Sequence, residues 1–329
     1  DGLDGGGTSI GMTRLIPVPE GLAGMRADAG IAKLLGLSRA KTADLLLAQA
    51  ITMDRETLEK SQPLRAGALL EIDLVEESAY VPEVTPVAGM KVLFEDADVI
   101  VVDKPAGVAA HTGPGWDGPT VVGALRAAGV RISTSGPVER EGIVHRLDAG
   151  TSGVMVVAKS ELAYGRLKNE FRYHRVTKIY CGLAQGIVKP GKGTIDAPIG
   201  RQVGREFKMA VMAGGKESIT HYDTVLAYPA QPRATAKESL PAVTLLRVQL
   251  ETGRTHQIRV HFAAIGHPLV GDTLYGADAK LAAKLGIQRQ FLHAEMLQFK
   301  HPREGSPVRV QAGLPEDLSR VLQLWSVQD

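Results

Sequence analysis

Four apolar runs limit what this chain can fold into more than any other feature. DVIVVDKP, GVMVVAKS, VTKIYCGLA and AVTLLRVQLETG, spread over residues 98–253, read as strands. TVVGALRAAG, SELAYGRLKNEF and THQIRVHFAAIG read as helices opened by a hydroxyl residue, two of them closed by glycine. A doubly wound parallel sheet needs a steady strand–helix alternation. The intervals here are irregular, so the expected class is α+β, with a mixed, largely antiparallel sheet.

The region before these runs reads differently. Residues 1–12, DGLDGGGTSIGM, are glycine-rich and lack a hydrophobic period, which predicts a flexible lead or an expression remnant ahead of a natural start at Met12. Residues 13–75 form a small α/β module. GIAKLLG and SRAKTADLLLAQA are its two helices, Ser38 is the N-cap of the second, and GALLEIDLVEE is a strand. Residues 76–89, with two prolines and no helical period, are the expected linker, leaving 90–329 as the main domain.

Composition removes several function classes. No apolar run approaches the roughly 20 residues that span a bilayer, and no signal-peptide succession is visible, so a soluble cytoplasmic protein is expected. The single cysteine, Cys181, excludes an internal disulfide and a cysteine cluster for zinc or iron–sulfur. It reads as a small buried side chain. The net charge is only +2, but its distribution is uneven. Residues 159–178 and 189–216 each carry six Lys/Arg against two Asp/Glu, either solvated faces or a track for a polyanion.

IVHRLDAGTSGVMVVAKS crowds His145, Arg146 and Asp148 ahead of Thr151 and Ser152. It lacks the G-x-S-x-G elbow of a serine hydrolase. His256, His261 and His267 share no helix face, which argues against zinc, and the glycine-rich stretches do not form a nucleotide fingerprint. Asp148 sits at a turn before an apolar strand. It either accepts backbone N–H bonds from Thr151 or Ser152, or points into a cleft. Thr255 is placed to cap the helix that carries Ile258, Phe262 and Ile265 on its apolar face. Arg259 stands at the edge of that face, where it can stay on the surface or reach a buried acid and hold it ionised. Alternation in VTKIYCGLA puts Ile179, Cys181 and Leu183 on the expected core face and Tyr180 on the other, able to stack on a planar base or to rest half-buried.

Taken together, HRLDAGTSGVMVVAKS, GRTHQIRVHFAAIGHPLVGDTLYG, LHAEMLQFKHP and VIVVDKPAGVAAH resemble the motifs of the RluA/RluD-type pseudouridine synthases over residues 90–310. Residues 25–75 are similar to the S-four type of ribosomal-protein RNA-binding domain. The resemblance implies an RNA-modifying isomerase that needs no cofactor and no metal. Its most natural target is uridine in large-subunit ribosomal RNA, free or in an assembling particle, with transfer RNA as the alternative. Asp148 would be the catalytic aspartate, Arg259 its basic partner, and Tyr180 the tyrosine that stacks on the base. Leu292 would line the uracil pocket, and Arg146 would fill the place of the flipped nucleotide. His145 gains no chemical role. In the amino-terminal module, Arg26, Arg39 and Lys41 are the residues expected to touch RNA, although Arg14–Asp73 carries eight basic and eight acidic residues. A monomer is expected. The competing reading is a non-catalytic RNA-binding or ribosome-assembly factor on the same fold, which would have no reason to carry Asp148, Tyr180 and Arg259 together. A glycosidase-like hydrolase would want a second carboxylate placed across the same bond, and HRLDAGTSGVMVVAKS carries none besides Asp148.

Overall fold

The computed structural model describes residues 12–37, 39–74, 84–113, 116–202, 208–232 and 239–326. Two compact units divide the chain, Asp1–Val81 and Pro82–Asp329.

In the first unit, β1 (Met12–Pro17), β2 (Ile51–Met53), β3 (Glu56–Thr57) and β4 (Leu69–Leu74) form an antiparallel sheet ordered β1-β4-β2-β3. The helices α1 (Ala27–Leu35) and α2 (Arg39–Leu47) supply Ile31 and Leu46 to a core shared with Ile51, Leu70 and Ile72. β1 was not anticipated, and it begins inside the expected lead, because Met12 already pairs with Leu74. Residues 1–11, the Ser38 cap, the Lys41 side chain, residue 75 and residues 76–83 of the expected linker lie outside the described residues. Arg26 and Arg39 both donate to Asp28, at 3.2 and 3.0 Å. The two guanidiniums, Arg26 first, hold that carboxyl down to about 2.

The second unit contains β5 (Lys91–Glu95), β6 (Val99–Lys104), α3 (Val121–Ala127), β7 (Ser152–Ala158), α4 (Glu161–Arg172) and β8 (Thr177–Gln185). It continues through β9 (Lys192–Asp196), β10 (Ile199–Arg201), β11 (Met209–Val211), β12 (Ile219–Tyr228), β13 (Val243–Leu250) and α5 (Gln257–Ala264). Then follow α6 (Ala279–Leu285), β14 (Leu292–Lys300), β15 (Pro307–Gln311) and α7 (Glu316–Ser326). Among the described residues, nine strands form one sheet ordered β5-β6-β7-β14-β8-β13-β12-β9, with β15 on β14. Every pairing is antiparallel except β7 with β14. The α+β class with a largely antiparallel mixed sheet is therefore the observed one.

Both faces of the sheet centre are covered, which is why β7 is buried along its whole length and reads as a continuous apolar run. One face, carrying Ile100, Val102 and Met155, packs under α3 and α5, while Val99, Val101 and Val156 pack against Leu167 of α4. Thr120 and Ser160 cap α3 and α4 through their hydroxyls, as their positions predict. Close approach of β7 to β14 requires Gly153: φ is +118°, and a Cβ there would lie 2.2 Å from the Ala294 carbonyl oxygen.

Three local expectations are corrected. Tyr180 is not on a face apart from the core. It packs with Val248, Phe262 and Leu292, while Leu183 packs with Phe291 on the opposite side, because a central strand buries both faces. The N-cap of α5 is His256, with left-handed backbone (φ 57°) and no side-chain cap, rather than Thr255. Ile265 falls beyond the helix end and is exposed.

Candidate active site

The order of strands explains how distant residues meet. The turn holding Asp148 enters β7, Leu292 opens the neighbouring β14, and Tyr180 lies in β8 on the far side of β14, opposite Ala294. Beyond β8, β13 leads through a short loop into α5, which delivers Arg259. Asp148, Tyr180, Arg259, Leu292 and Arg146 all line one cavity of about 500 Å³.

The turn at Asp148 is pinned from both sides. Gly107 N–H donates to the Ala149 carbonyl at 2.8 Å, and the buried Lys104 Nζ reaches the same oxygen at 3.3 Å. From the other side, Arg289 donates to the Gly150 carbonyl and Gln290 to the Thr151 hydroxyl. Thr151 N–H is satisfied by the backbone carbonyl of Asp148 at 2.9 Å, not by its side chain. Among the described residues the Asp148 carboxylate accepts one hydrogen bond, from Arg259 Nη1 at 3.3 Å. Of the two readings of a turn aspartate, the geometry matches the one that points into a cleft.

Arg259 does not act alone. Its Nε and Nη2 form a fork on Asp272, at 2.7 and 2.8 Å, leaving Nη1 for Asp148. Only 8% of the Arg259 side chain and 1% of the Asp272 side chain are exposed. The fork fixes the guanidinium plane, so the third donor has a defined direction. The Tyr275 ring lies against the same guanidinium, 5.0 Å from ring centre to Cζ.

Tyr180 is buried, and burial, reinforced by the negative charge of Asp148, pushes its phenol pKa up. The hydroxyl stays protonated across the physiological range. Lys178, also buried, donates to the carbonyls of Thr252 and Glu251, and burial pulls its pKa down to about 8. Burial takes the Lys104 ammonium to about 7, with Asp148 opposing the shift. His145 accepts the Val156 N–H through Nε2 at 3.0 Å and stacks on Phe171, and burial drives its pKa to about 3. It is a neutral fastener between the turn and β7. Cys181 is likewise inert, with burial raising its thiol to about 12. No group of three or more metal-ligating side chains occurs among the described residues.

The rim of the cavity is basic, with Arg140, Arg146, Lys168, Arg172 and Arg254. From sequence alone Asp272 and Tyr275 carry no function, and His256 enters only as a metal ligand to be excluded. The first two stand inside a motif already singled out, GHPLVGDTLYG, but nothing in their spacing says that they fold back on Arg259.

One carboxylate paired with a buried guanidinium thus faces a cavity that Tyr180 and Leu292 also line. The comparisons with known proteins identify the family. Residues 98–264 match the family model described as RNA pseudouridylate synthase. An uncharacterised RNA pseudouridine synthase of Mycobacterium bovis is 53% identical over 313 residues, spanning 94% of this chain and 97% of the relative. The ribosomal large subunit pseudouridine synthase D of Xanthomonas campestris is 39% identical over 317 residues, 93% of this chain and 90% of the relative. Among solved structures, human RNA pseudouridylate synthase domain containing 1 superposes with a TM-score of 0.54 at 26% identity, covering 74% of this chain and 98% of that one. The chain belongs to the RNA pseudouridine synthase family, RluA/RluD type, and is an isomerase that converts uridine to pseudouridine in RNA.

Proposed function

We propose that this enzyme isomerises uridines of large-subunit ribosomal RNA and that Asp148 is its catalytic aspartate. The observation that carries the reading is the meeting of Asp148, Arg259, Tyr180 and Leu292, from four separate stretches of sequence, in one cavity. Relatives 36–39% identical over more than nine-tenths of the chain bear the name ribosomal large subunit pseudouridine synthase D, which supports the choice of RNA.

The reaction breaks the bond between C1′ of the ribose and N1 of uracil, turns the freed base and rejoins it through C5. A carboxylate can attack C1′ or accept the C2′ proton, and both roles need it ionised and aimed. Arg259 does both: it supplies a positive charge at 3.3 Å and is itself held by Asp272. Tyr180 and Leu292 form the slot that holds the flat base, and Arg146 takes the place vacated in the RNA when the nucleotide flips out. The basic rim receives the phosphates on either side. The unit around β1–β4, on this reading, is an S-four-like RNA-docking module contacting RNA through Arg26, Arg39 and Lys41, and the enzyme acts as a cytoplasmic monomer.

The test is release of tritium from large-subunit ribosomal RNA labelled at C5 of uridine. Wild type should release it from defined positions, and Asp148→Asn should not, although it binds the RNA. Release by Asp148→Asn at the wild-type rate would remove the aspartate from the mechanism. Failure of the wild type on ribosomal RNA, with release from transfer RNA, would move the substrate.

A further inference from the structure

His256 stands at the mouth of α5 with its imidazole between two groups. Nδ1 is 2.7 Å from the Tyr275 hydroxyl, and Nε2 faces the cavity 3.9 Å from Asp148 Oδ2. The Tyr275 oxygen also accepts the Met209 N–H at 3.0 Å. That arrangement selects a tautomer. Were the proton on Nδ1, the Tyr275 O–H would have no acceptor among the described residues, and a bare Nε2 lone pair would face a carboxylate. With the proton on Nε2, Tyr275 donates to Nδ1 and accepts from Met209, and only the Nε2–H is left open. Burial holds the imidazole below its ordinary pKa; the Asp148 charge opposes that drop and Arg259 adds to it. The ring is a neutral donor with its N–H in the cavity. At 3.9 Å the N–H is too far from Asp148 for a hydrogen bond, and among the described residues nothing else accepts it. His256 also keeps a left-handed backbone (φ 57°), which is strained in a residue that is not glycine.

A donor left open beside the reacting carboxylate has a natural acceptor. When the C1′–N1 bond breaks, its electron pair stays on N1 and spreads onto O2, while C1′ is met by the Asp148 carboxylate or the C2′ proton passes to it. O2 is two bonds from N1, and N1 is bonded to the sugar carbon at which Asp148 works. O2 is thus the uracil oxygen nearest the carboxylate. We propose that His256 Nε2–H, oriented by Tyr275, donates a hydrogen bond to O2 of the target uracil and strengthens it as the base departs. The inference rests on Asp148 being the catalytic aspartate. It adds a substrate contact, His256, and a positioning residue, Tyr275.

The test combines atom substitution with mutation, measured as single-turnover rates on RNA in which the target uridine is replaced by 2-thiouridine, a poor acceptor. Wild type should slow by about 10- to 100-fold, the range for a hydrogen bond whose acceptor gains charge. His256→Phe should lose a similar factor on uridine and be indifferent to the sulfur. His256→Gln, whose amide nitrogen occupies the place of Nε2, should regain most of the rate and the sensitivity. Tyr275→Phe should slow wild type but not His256→Phe. A 4-thiouridine target should show no such interplay. The sulfur substitution in wild type needs no variant to fold, and thermal melting checks the variants. Equal 2-thio effects in wild type and His256→Phe, or the interplay appearing with 4-thiouridine instead, would overturn the O2 contact while leaving Asp148 in place. Full activity of Asp148→Asn would instead remove the reading underneath it.

Discussion

Asp272 provides the sharpest test of how the site is built. It does not line the cavity, yet two of the three donors Arg259 uses end on it. Asp272→Ala leaves a buried guanidinium whose one remaining hydrogen-bond partner among the described residues is Asp148, at 3.3 Å. Removing one partner of a buried pair costs about 3–5 kcal/mol, and the surviving contact places this case at the lower end, about 3 kcal/mol. For a unit of this size, each kcal/mol lowers the melting temperature by about 2–4 °C, so a drop of about 6–12 °C is expected. The freed guanidinium can rotate onto Asp148 in several ways, so the aim of the carboxylate degrades and tritium release falls at least about tenfold, a barrier change of about 1.4 kcal/mol. Calorimetry and the release assay read the two effects separately. Replacing both partners with apolar residues, Arg259→Met with Asp272→Leu, should recover most of the stability and none of the activity, because neither charge is then stranded. A melting temperature within about 2 °C of wild type in Asp272→Ala, or an unchanged release rate, would refute the idea that the fork aims the Asp148 carboxylate.

Other outcomes follow from the same geometry. Gly153→Ala puts a methyl 2.2 Å from the Ala294 carbonyl and should separate β7 from β14, costing more than about 3 kcal/mol and leaving little folded protein at 37 °C; a soluble variant with native melting would contradict the close approach. Asp98 is held at about 2, chiefly by its hydrogen bond from Arg303, with the Ser160 hydroxyl assisting against the cost of burial. Its folded pKa is lowered, so its stabilisation, about 1–2 kcal/mol after discounting for the exposed arginine, is complete above pH ~4 and is lost as pH falls towards 2. Asp98→Asn should be less stable than wild type at pH 7 and should lose that disadvantage in acid, which denaturant melts at several pH values would show. Lys168→Ala with Arg172→Ala should raise KM for RNA with little change in kcat, and should flatten the logarithmic dependence of binding on salt by about 1.4, the value for two contacts to single-stranded phosphates. An unchanged salt slope would take the α4 rim out of the RNA path.

The sequence by itself carried a good deal. Irregular spacing of apolar runs excluded a doubly wound sheet, since strand period and run length are local properties that packing later respects. Helix starts at Thr120 and Ser160 were legible because a capping hydroxyl acts within three residues of itself. The candidate residues Asp148, Tyr180, Arg259 and Leu292 could be named from their motifs. What the sequence could not carry is whatever depends on which strands lie side by side. Tyr180 was assigned to the wrong environment because alternation marks faces but not whether the second face is covered. His256 and Asp272 acquire meaning only through partners 19 and 13 residues away, Tyr275 and Arg259, whose contacts follow from the chain folding back after α5. The order β7-β14-β8 sets Leu292 between residues 148 and 180, an adjacency between positions more than 100 residues apart that no local pattern encodes. A side chain's chemistry was written in the sequence; the direction of its proton, its charge partner and its burial were decided by the sheet.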